Sequence, residues 1–177
     1  MQRTMRYQVV SKMSLVDGPG VRCALYVSGC TLRCKGCHNA EAWDFNCGKE
    51  FTTDTIAEIL NYMSPKYISG FSLLGGEPFD QNPDLLVDLL TQIKQQYPEK
   101  SIWCWTGYEF DQIKDRELAK LIDVAVCGPF KLDLRDISAN NPWRGSTNQY
   151  VVDVKQSLAE NRSIPLSGIL NNTLPEK

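Results

Sequence analysis

The chain has 177 residues, 42% of them hydrophobic and 23% charged, so it can bury one core of ordinary domain size, and bulk disorder is excluded. Its 19 basic and 21 acidic residues leave a formal charge of −2, which argues against nucleic acid or an anionic membrane as partner. No apolar run approaches a membrane span, and Met1-Gln2-Arg3-Thr4-Met5-Arg6 leads into no signal-peptide core, so a cytoplasmic location is expected.

Residues 21–28 are β-branched and apolar and read as a buried strand. Thr55 and Glu58 have capping-box spacing, and Ile56, Ile59, Leu60 and Met63 share one helical face. Residues 68–74 read as a second strand. Asn82 as cap and Pro83 at the first position start a second helix. Its face carries Leu85, Leu86, Leu89, Leu90 and Ile93, and Pro98 closes it. Residues 101–106 read as a third strand. Phe110, Ile113, Leu118 and Leu121 lie in a more polar, broken third helix, and residues 122–127 and 149–154 read as the fourth and fifth strands.

This alternation predicts βαβ units and an α/β fold with a mostly parallel sheet, either doubly wound or a barrel. A closed eight-unit barrel needs about 250 residues, so a barrel here must be partial. One domain is expected over residues 1–160. The polar remainder, 161–177, with Pro165 and Pro175, is expected to be a loosely held tail. The motif-like stretches follow strands: Gly29-Cys30, Gly75-Gly76-Glu77-Pro78, Gly107-Tyr108 and Gly128-Pro129-Phe130. In parallel βα architectures these points share one rim, where active sites are built. Alternation sends Trp103 and Trp105 to one face, where they read as core or helix-facing.

The chain has 7 cysteines and one histidine. An odd count with no secretion signal speaks against a disulfide framework, and a single His removes most His-based catalytic designs. Cys30, Cys34 and Cys37 have the spacing C-x3-C-x2-C on a glycine-flanked polar loop, so three thiolates can converge on one metal centre. Structural zinc wants four ligands, and no second C-x2-C pair exists; His38 adjoins Cys37, from which the same ion is awkward to reach. Ferredoxin clusters use four cysteines. Three on a 4Fe-4S cluster leave one iron open to a substrate or cofactor. Zinc and incidental buried thiols stand as the alternatives.

In Gly75-Gly76-Glu77-Pro78, the glycines let backbone approach a ligand and Glu77 offers an acceptor suited to an ammonium group; a plain strand-to-turn would use the same residues. Asp17-Gly18-Pro19-Gly20 is turn-forming on any reading. Arg135, Asp136 and Arg144 lie in the long connection between Gly128 and Gln149, and connections of that length are usually functional or mobile.

The cysteine triplet with Gly75-Gly76-Glu77-Pro78 resembles the radical S-adenosylmethionine superfamily. Asp17-Gly18-Pro19-Gly20-Val21-Arg22 and Cys37-His38-Asn39 resemble its glycyl-radical-enzyme activating proteins. Thr106-Gly107-Tyr108, Gly128-Pro129-Phe130 and Trp143-Arg144-Gly145-Ser146-Thr147-Asn148-Gln149 resemble the branch that acts on anaerobic ribonucleoside-triphosphate reductase. The resemblance implies a partial, open parallel βα barrel of the radical S-adenosylmethionine type. It implies a 4Fe-4S cluster on Cys30, Cys34 and Cys37, with S-adenosyl-L-methionine held by Gly75, Gly76, Glu77, Pro78, His38 and Asn39. The implied activity is reductive cleavage of that cofactor to a 5′-deoxyadenosyl radical, which makes a glycyl radical on the reductase. An external one-electron donor such as flavodoxin or ferredoxin is implied too. Asp17, Gly18, Pro19, Gly20, Arg22 and Arg144 are the implied partner contacts. Two positions depart from the pattern: Gly36 stands where many members have an aromatic, and Cys127 where this branch usually carries Asp.

Overall fold

The computed structural model describes residues 4–175. Met1, Gln2 and Arg3, read above as part of the charged N-terminus, and Glu176 and Lys177 of the expected tail lie outside the described residues. The strands are β1 (Arg6–Ser14), β2 (Val21–Ser28), β3 (Lys49–Glu50), β4 (Ile68–Gly75), β5 (Ser101–Trp105), β6 (Val124–Cys127) and β7 (Tyr150–Asp153). The helices are α1 (Thr53–Met63), α2 (Pro83–Gln96), α3 (Phe110–Ile113), α4 (Glu117–Lys120) and α5 (Val154–Glu160). One sheet of seven strands runs β3-β1-β2-β4-β5-β6-β7. Its centre, β2-β4-β5-β6, is parallel. β1 and β3 on one flank and β7 on the other are antiparallel.

The α/β class and the parallel centre agree with the sequence expectation. Three details differ. The strand expected at 149–154 runs antiparallel, because its connection returns along the rim rather than crossing back beneath the sheet. β1 was not anticipated: it is half-exposed, and two register shifts against β2 break its apolar alternation. Helix α1 starts earlier than the Thr55/Glu58 pairing suggested. Thr52 is the cap, reciprocating with Thr55, while Glu58 accepts the Tyr62 hydroxyl at 2.7 Å. Among the described residues, no helix is long and apolar enough to cross a membrane.

Alternation along the parallel strands separates two faces. Leu25, Val27, Phe71, Leu73, Ile102 and Cys104 face the helices, in one core with Ile59, Met63, Leu86 and Leu90. The other face carries a smaller cluster of Trp103, Val124, Val126 and Val151, packed against Trp105, Trp143, Leu166 and Ile169. The segment expected to be a loose tail has its own contacts there. Leu166 N–H donates to the Val151 carbonyl at 2.9 Å. The Asn172 side chain accepts from Val151 N–H and donates to its carbonyl, each at 2.8 Å.

Arg22 sits in the centre of this second face and is fully buried. Its guanidinium donates to Ser72 Oγ at 2.7 Å, the Phe71 carbonyl at 2.8 Å, and the carbonyl and hydroxyl of Ser101 at 2.8 and 3.1 Å. It also reaches the Pro19 carbonyl at 3.3 Å and lies 5.7 Å from the Trp103 ring. Burial pulls its pKa down to about 10, with Asp123 and Asp17 pulling the other way, so it stays charged at neutral pH. One side chain thus ties β2, β4 and β5 together with the β1–β2 connection. Arg22→Ala leaves those acceptors unpaired in the interior and is expected to lower unfolding free energy by about 3 kcal/mol, measured by denaturant titration of the iron-free chain.

Candidate functional site

The C-terminal ends of the parallel strands open into a pocket of about 190 Å³. Its wall gathers Cys30, Cys34, Cys37, His38, Asn39, Gly75, Gly76 and Glu77. Residues 30–39 and residues 75–77, far apart in the chain, therefore meet at one place. Tyr26, Leu74 and Trp105, from three adjacent strands, also line it. Pro78 does not line the pocket. It is buried and opens a short 3-10 turn, Pro78–Asp80.

Backbone contacts bring the two loops together. Gly76 N–H donates to the Val27 carbonyl at 2.7 Å, and Glu77 N–H to the Gly29 carbonyl at 2.8 Å. Gln81 Nε2 adds a second bond to the Gly29 carbonyl, also at 2.8 Å. A Cβ on Gly76 would lie 2.4 Å from that same oxygen. The glycines here serve the approach of one protein loop to another, a use the sequence did not distinguish from ligand approach. The cysteine loop is further anchored by Gly29 N–H to the Ala42 carbonyl at 2.7 Å and Cys30 N–H to the Trp43 carbonyl at 3.3 Å.

Burial raises the pKa of Cys30 and Cys34. Backbone N–H groups oppose that rise: Arg33 and Leu32 at Cys30, Phe130 at Cys34. Those donors favour thiolate, the form that ligates metal. Among the described residues, no three His, Cys, Asp or Glu side chains are grouped tightly enough to chelate one ion. The three thiols nonetheless share one pocket wall, an arrangement that suits a cluster in which each thiolate takes a different iron. The residues present therefore fit an iron–sulfur cluster.

Glu77 is 1% exposed, and burial pushes its pKa up to about 7. Its carboxylate accepts from Phe79 N–H at 3.0 Å, Thr106 Oγ1 at 2.8 Å and Gly107 N–H at 2.8 Å. These donors are all neutral, so the group suits a cation brought into the pocket. Tyr26, which no motif reading singled out, also lines the site. Tyr26 donates its hydroxyl to Asp17, which also accepts from Ser14 Oγ at 2.5 Å. Asp17 is thereby buried and tied to a residue that lines the pocket, whereas Pro19 and Gly20 are exposed. Trp105 lines the pocket and donates to the Trp143 carbonyl at 2.7 Å. Trp103 and Trp105 share a face as alternation predicts, but it is the face opposite the helices, so the helix-facing reading does not hold: Trp103 is buried there and Trp105 reaches the pocket.

Other expected residues are placed elsewhere. Arg22 and Arg144 are both committed to intramolecular bonds. Arg144 is 4% exposed and donates to the carbonyls of Asn171 at 2.8 Å and Leu170 at 2.5 Å. His38 is exposed on the pocket rim, and Asn39 Nδ2 donates to Gln8 Oε1 at 2.9 Å. Cys127 is buried in the helix-side core, its thiol pushed well up by burial, and does not line the pocket.

The 4Fe-4S single cluster domain family matches residues 16–152. The chain is similar to the anaerobic ribonucleoside-triphosphate reductase-activating protein of Enterobacteria phage T4, at 38% identity over 146 residues, 82% of this chain and 92% of that protein. It is similar to the protein of that name from Escherichia coli (strain K12), at 40% identity over 152 residues, 83% of this chain and 97% of the relative. The Haemophilus influenzae protein of that name is 37% identical over 152 residues, with the same shares of both chains covered.

The Glu77 environment has a pH signature. Its folded pKa lies above the ordinary carboxylate value of 4.5, so the native chain holds a proton that the unfolded chain has lost in that window. Its contribution to stability therefore falls as pH rises from 4.5 to about 7 and is level beyond. Glu77→Gln carries a pH-independent offset but not this slope. Unfolding of the two iron-free chains across that range should shift in favour of the variant by about 3 kcal/mol.

Proposed function

The chain belongs to the family of anaerobic ribonucleoside-triphosphate reductase-activating proteins, and we propose that it is an activating enzyme that cleaves S-adenosyl-L-methionine reductively to make a glycyl radical on that reductase. The observation that carries the reading is the meeting of the three thiols with Gly75, Gly76 and Glu77 in one pocket at the strand ends. Given an electron from a donor such as flavodoxin or ferredoxin, a 4Fe-4S cluster held here would supply one-electron cleavage of S-adenosyl-L-methionine to methionine and a 5′-deoxyadenosyl radical, the species that would take the α-hydrogen of a glycine on the partner.

Cys30, Cys34 and Cys37 would hold the cluster, and with three protein thiolates it would keep a place for the cofactor to bind. The Gly75-Gly76-Glu77-Pro78 turn, with His38 and Asn39, binds the methionine portion; the buried Glu77 carboxylate receives the ammonium, and the glycines keep the pocket wall narrow. Tyr26, Leu74 and Trp105 form an apolar and aromatic floor that excludes water from the reacting end. No side chain acts as a general base. The sheet serves as the wall of a partial βα barrel, a reading supported by its parallel centre and the pocket at its strand ends. The open flank suits a macromolecular partner. Pro19 and Gly20, next to the exposed Leu15 and Val16, give that partner a surface that Arg22 and Arg144 do not. The cytoplasm, with its reducing conditions, is the fitting location.

Anaerobic reconstitution with iron and sulfide, followed by dithionite and S-adenosyl-L-methionine, should yield 5′-deoxyadenosine and methionine. Replacing Cys30, Cys34 and Cys37 together by Ala should abolish both iron retention and product. A protein with a full cluster that forms no product, even with the reductase present, would mark an electron carrier and sink the catalytic reading.

A further inference from the structure

Asp80 lies outside every motif read in the sequence, yet its carboxylate joins three rim loops. Oδ2 accepts from both the backbone N–H and the hydroxyl of Thr31, each at 2.7 Å. Oδ1 accepts the Tyr108 hydroxyl, also at 2.7 Å. Thr31 follows Cys30 directly, and Tyr108 follows Gly107, whose N–H holds Glu77. Arg116 braces this arrangement. Its guanidinium lies 5.8 Å from the Tyr108 ring and 5.9 Å from the Phe79 ring, and it donates to the Phe79 carbonyl at 2.9 Å.

Within the cysteine loop, Cys37 N–H bonds the Cys34 carbonyl at 3.1 Å, and the Leu32 and Arg33 N–H groups turn toward the Cys30 thiol. The loop's entry is fixed at Gly29 by Ala42, Glu77 and Gln81. Beyond Cys30, the two bonds from Thr31 to Asp80 are the next anchor. Bonds to an ionised carboxylate are the stronger kind, and a single carboxylate receiving three donors from two loops fixes their relative position.

Resting on the reading of Cys30, Cys34 and Cys37 as cluster ligands, we propose that Asp80 is a positioning residue. It sets the approach of the cysteine loop to the Gly75–Pro78 turn through Thr31, and so governs how firmly the cluster is retained. Groups that orient metal ligands without touching the metal typically change metal affinity by roughly 10- to 100-fold when removed.

The test follows iron rather than turnover. Wild type, Asp80→Ala, Asp80→Asn and Tyr108→Phe are reconstituted anaerobically. Iron and sulfide per chain, the rate of iron loss to a chelator and the electron paramagnetic resonance spectrum of the reduced cluster are then compared. Asp80→Ala should lose iron about tenfold faster than wild type, the low end of the range for such groups, with an altered spectrum. Asp80→Asn keeps an acceptor oxygen for Thr31 and should recover most of the retention. Tyr108→Phe leaves both Thr31 bonds and should fall between Asp80→Asn and wild type. Unchanged iron loss and spectrum in Asp80→Ala overturn the proposal. So does a lowered unfolding midpoint of the iron-free variant that accounts for the loss, or Asn performing no better than Ala. A wild-type chain that retains no iron overturns the cluster reading itself.

Discussion

The site depends on how closely the ends of β2 and β4 approach one another. The Gly29 carbonyl accepts both Glu77 N–H and Gln81 Nε2, and a Cβ at Gly76 would collide with that oxygen. Parallel strands end at the same height, but their following loops normally diverge toward different helices. Here two backbones are held in van der Waals contact at the point where they would part. The cysteines on one loop and the carboxylate on the other consequently face a common space. Glycine is needed because only the missing side chain permits such contact.

The sheet beneath is asymmetric in what covers it. Helices supply the apolar layer on one side, as expected for βαβ units. The other side has a smaller apolar cluster toward β6 and β7 and, beside it over β2, β4 and β5, a buried guanidinium with two serines. A buried cation is costly unless its donors are occupied, and Arg22, itself on β2, has acceptors from β4, β5 and the β1–β2 connection. Directional bonds specify the part of that face around Arg22, and the pocket opens at its upper end. Trp103 and Trp105, with ring centroids 5.7 Å apart, link the buried part of this face to the pocket floor.

Much of this was legible in the sequence, and the reasons for the exceptions are physical. The four parallel strands are rich in apolar and β-branched residues, and α2 carries both its cap and its stripe, so local chemistry and tertiary environment agree. β1 is an outer strand with bulges, and its pattern blurs because one side meets solvent. The direction of β7 is a property of its connection, which no strand sequence encodes. The cysteine triplet and the Gly75–Pro78 turn were readable because each is a compact, unusual pattern within a few consecutive residues. Asp80 was not: alone it resembles any solvated turn residue, and its partner Thr31 is 49 positions away. Tyr26 and Trp105 were identifiable as strand residues, but alternation gives a shared face without saying which face meets the pocket.

The segment beyond α5 has a consequence for the molecule's behaviour among its own copies. β7 is the last strand of the sheet, a position where unpaired N–H and C=O groups invite another chain to add on. Residues from Ile164 to Asn172 occupy that edge: Asp153 N–H bonds the Ile164 carbonyl, Leu166 bonds Val151, and the Asn172 amide mimics a peptide against both polar groups of Val151. Arg144 reaches across to hold the carbonyls of Leu170 and Asn171. The polar composition that made this stretch look dispensable is what lets it act as a guard against edge-to-edge aggregation.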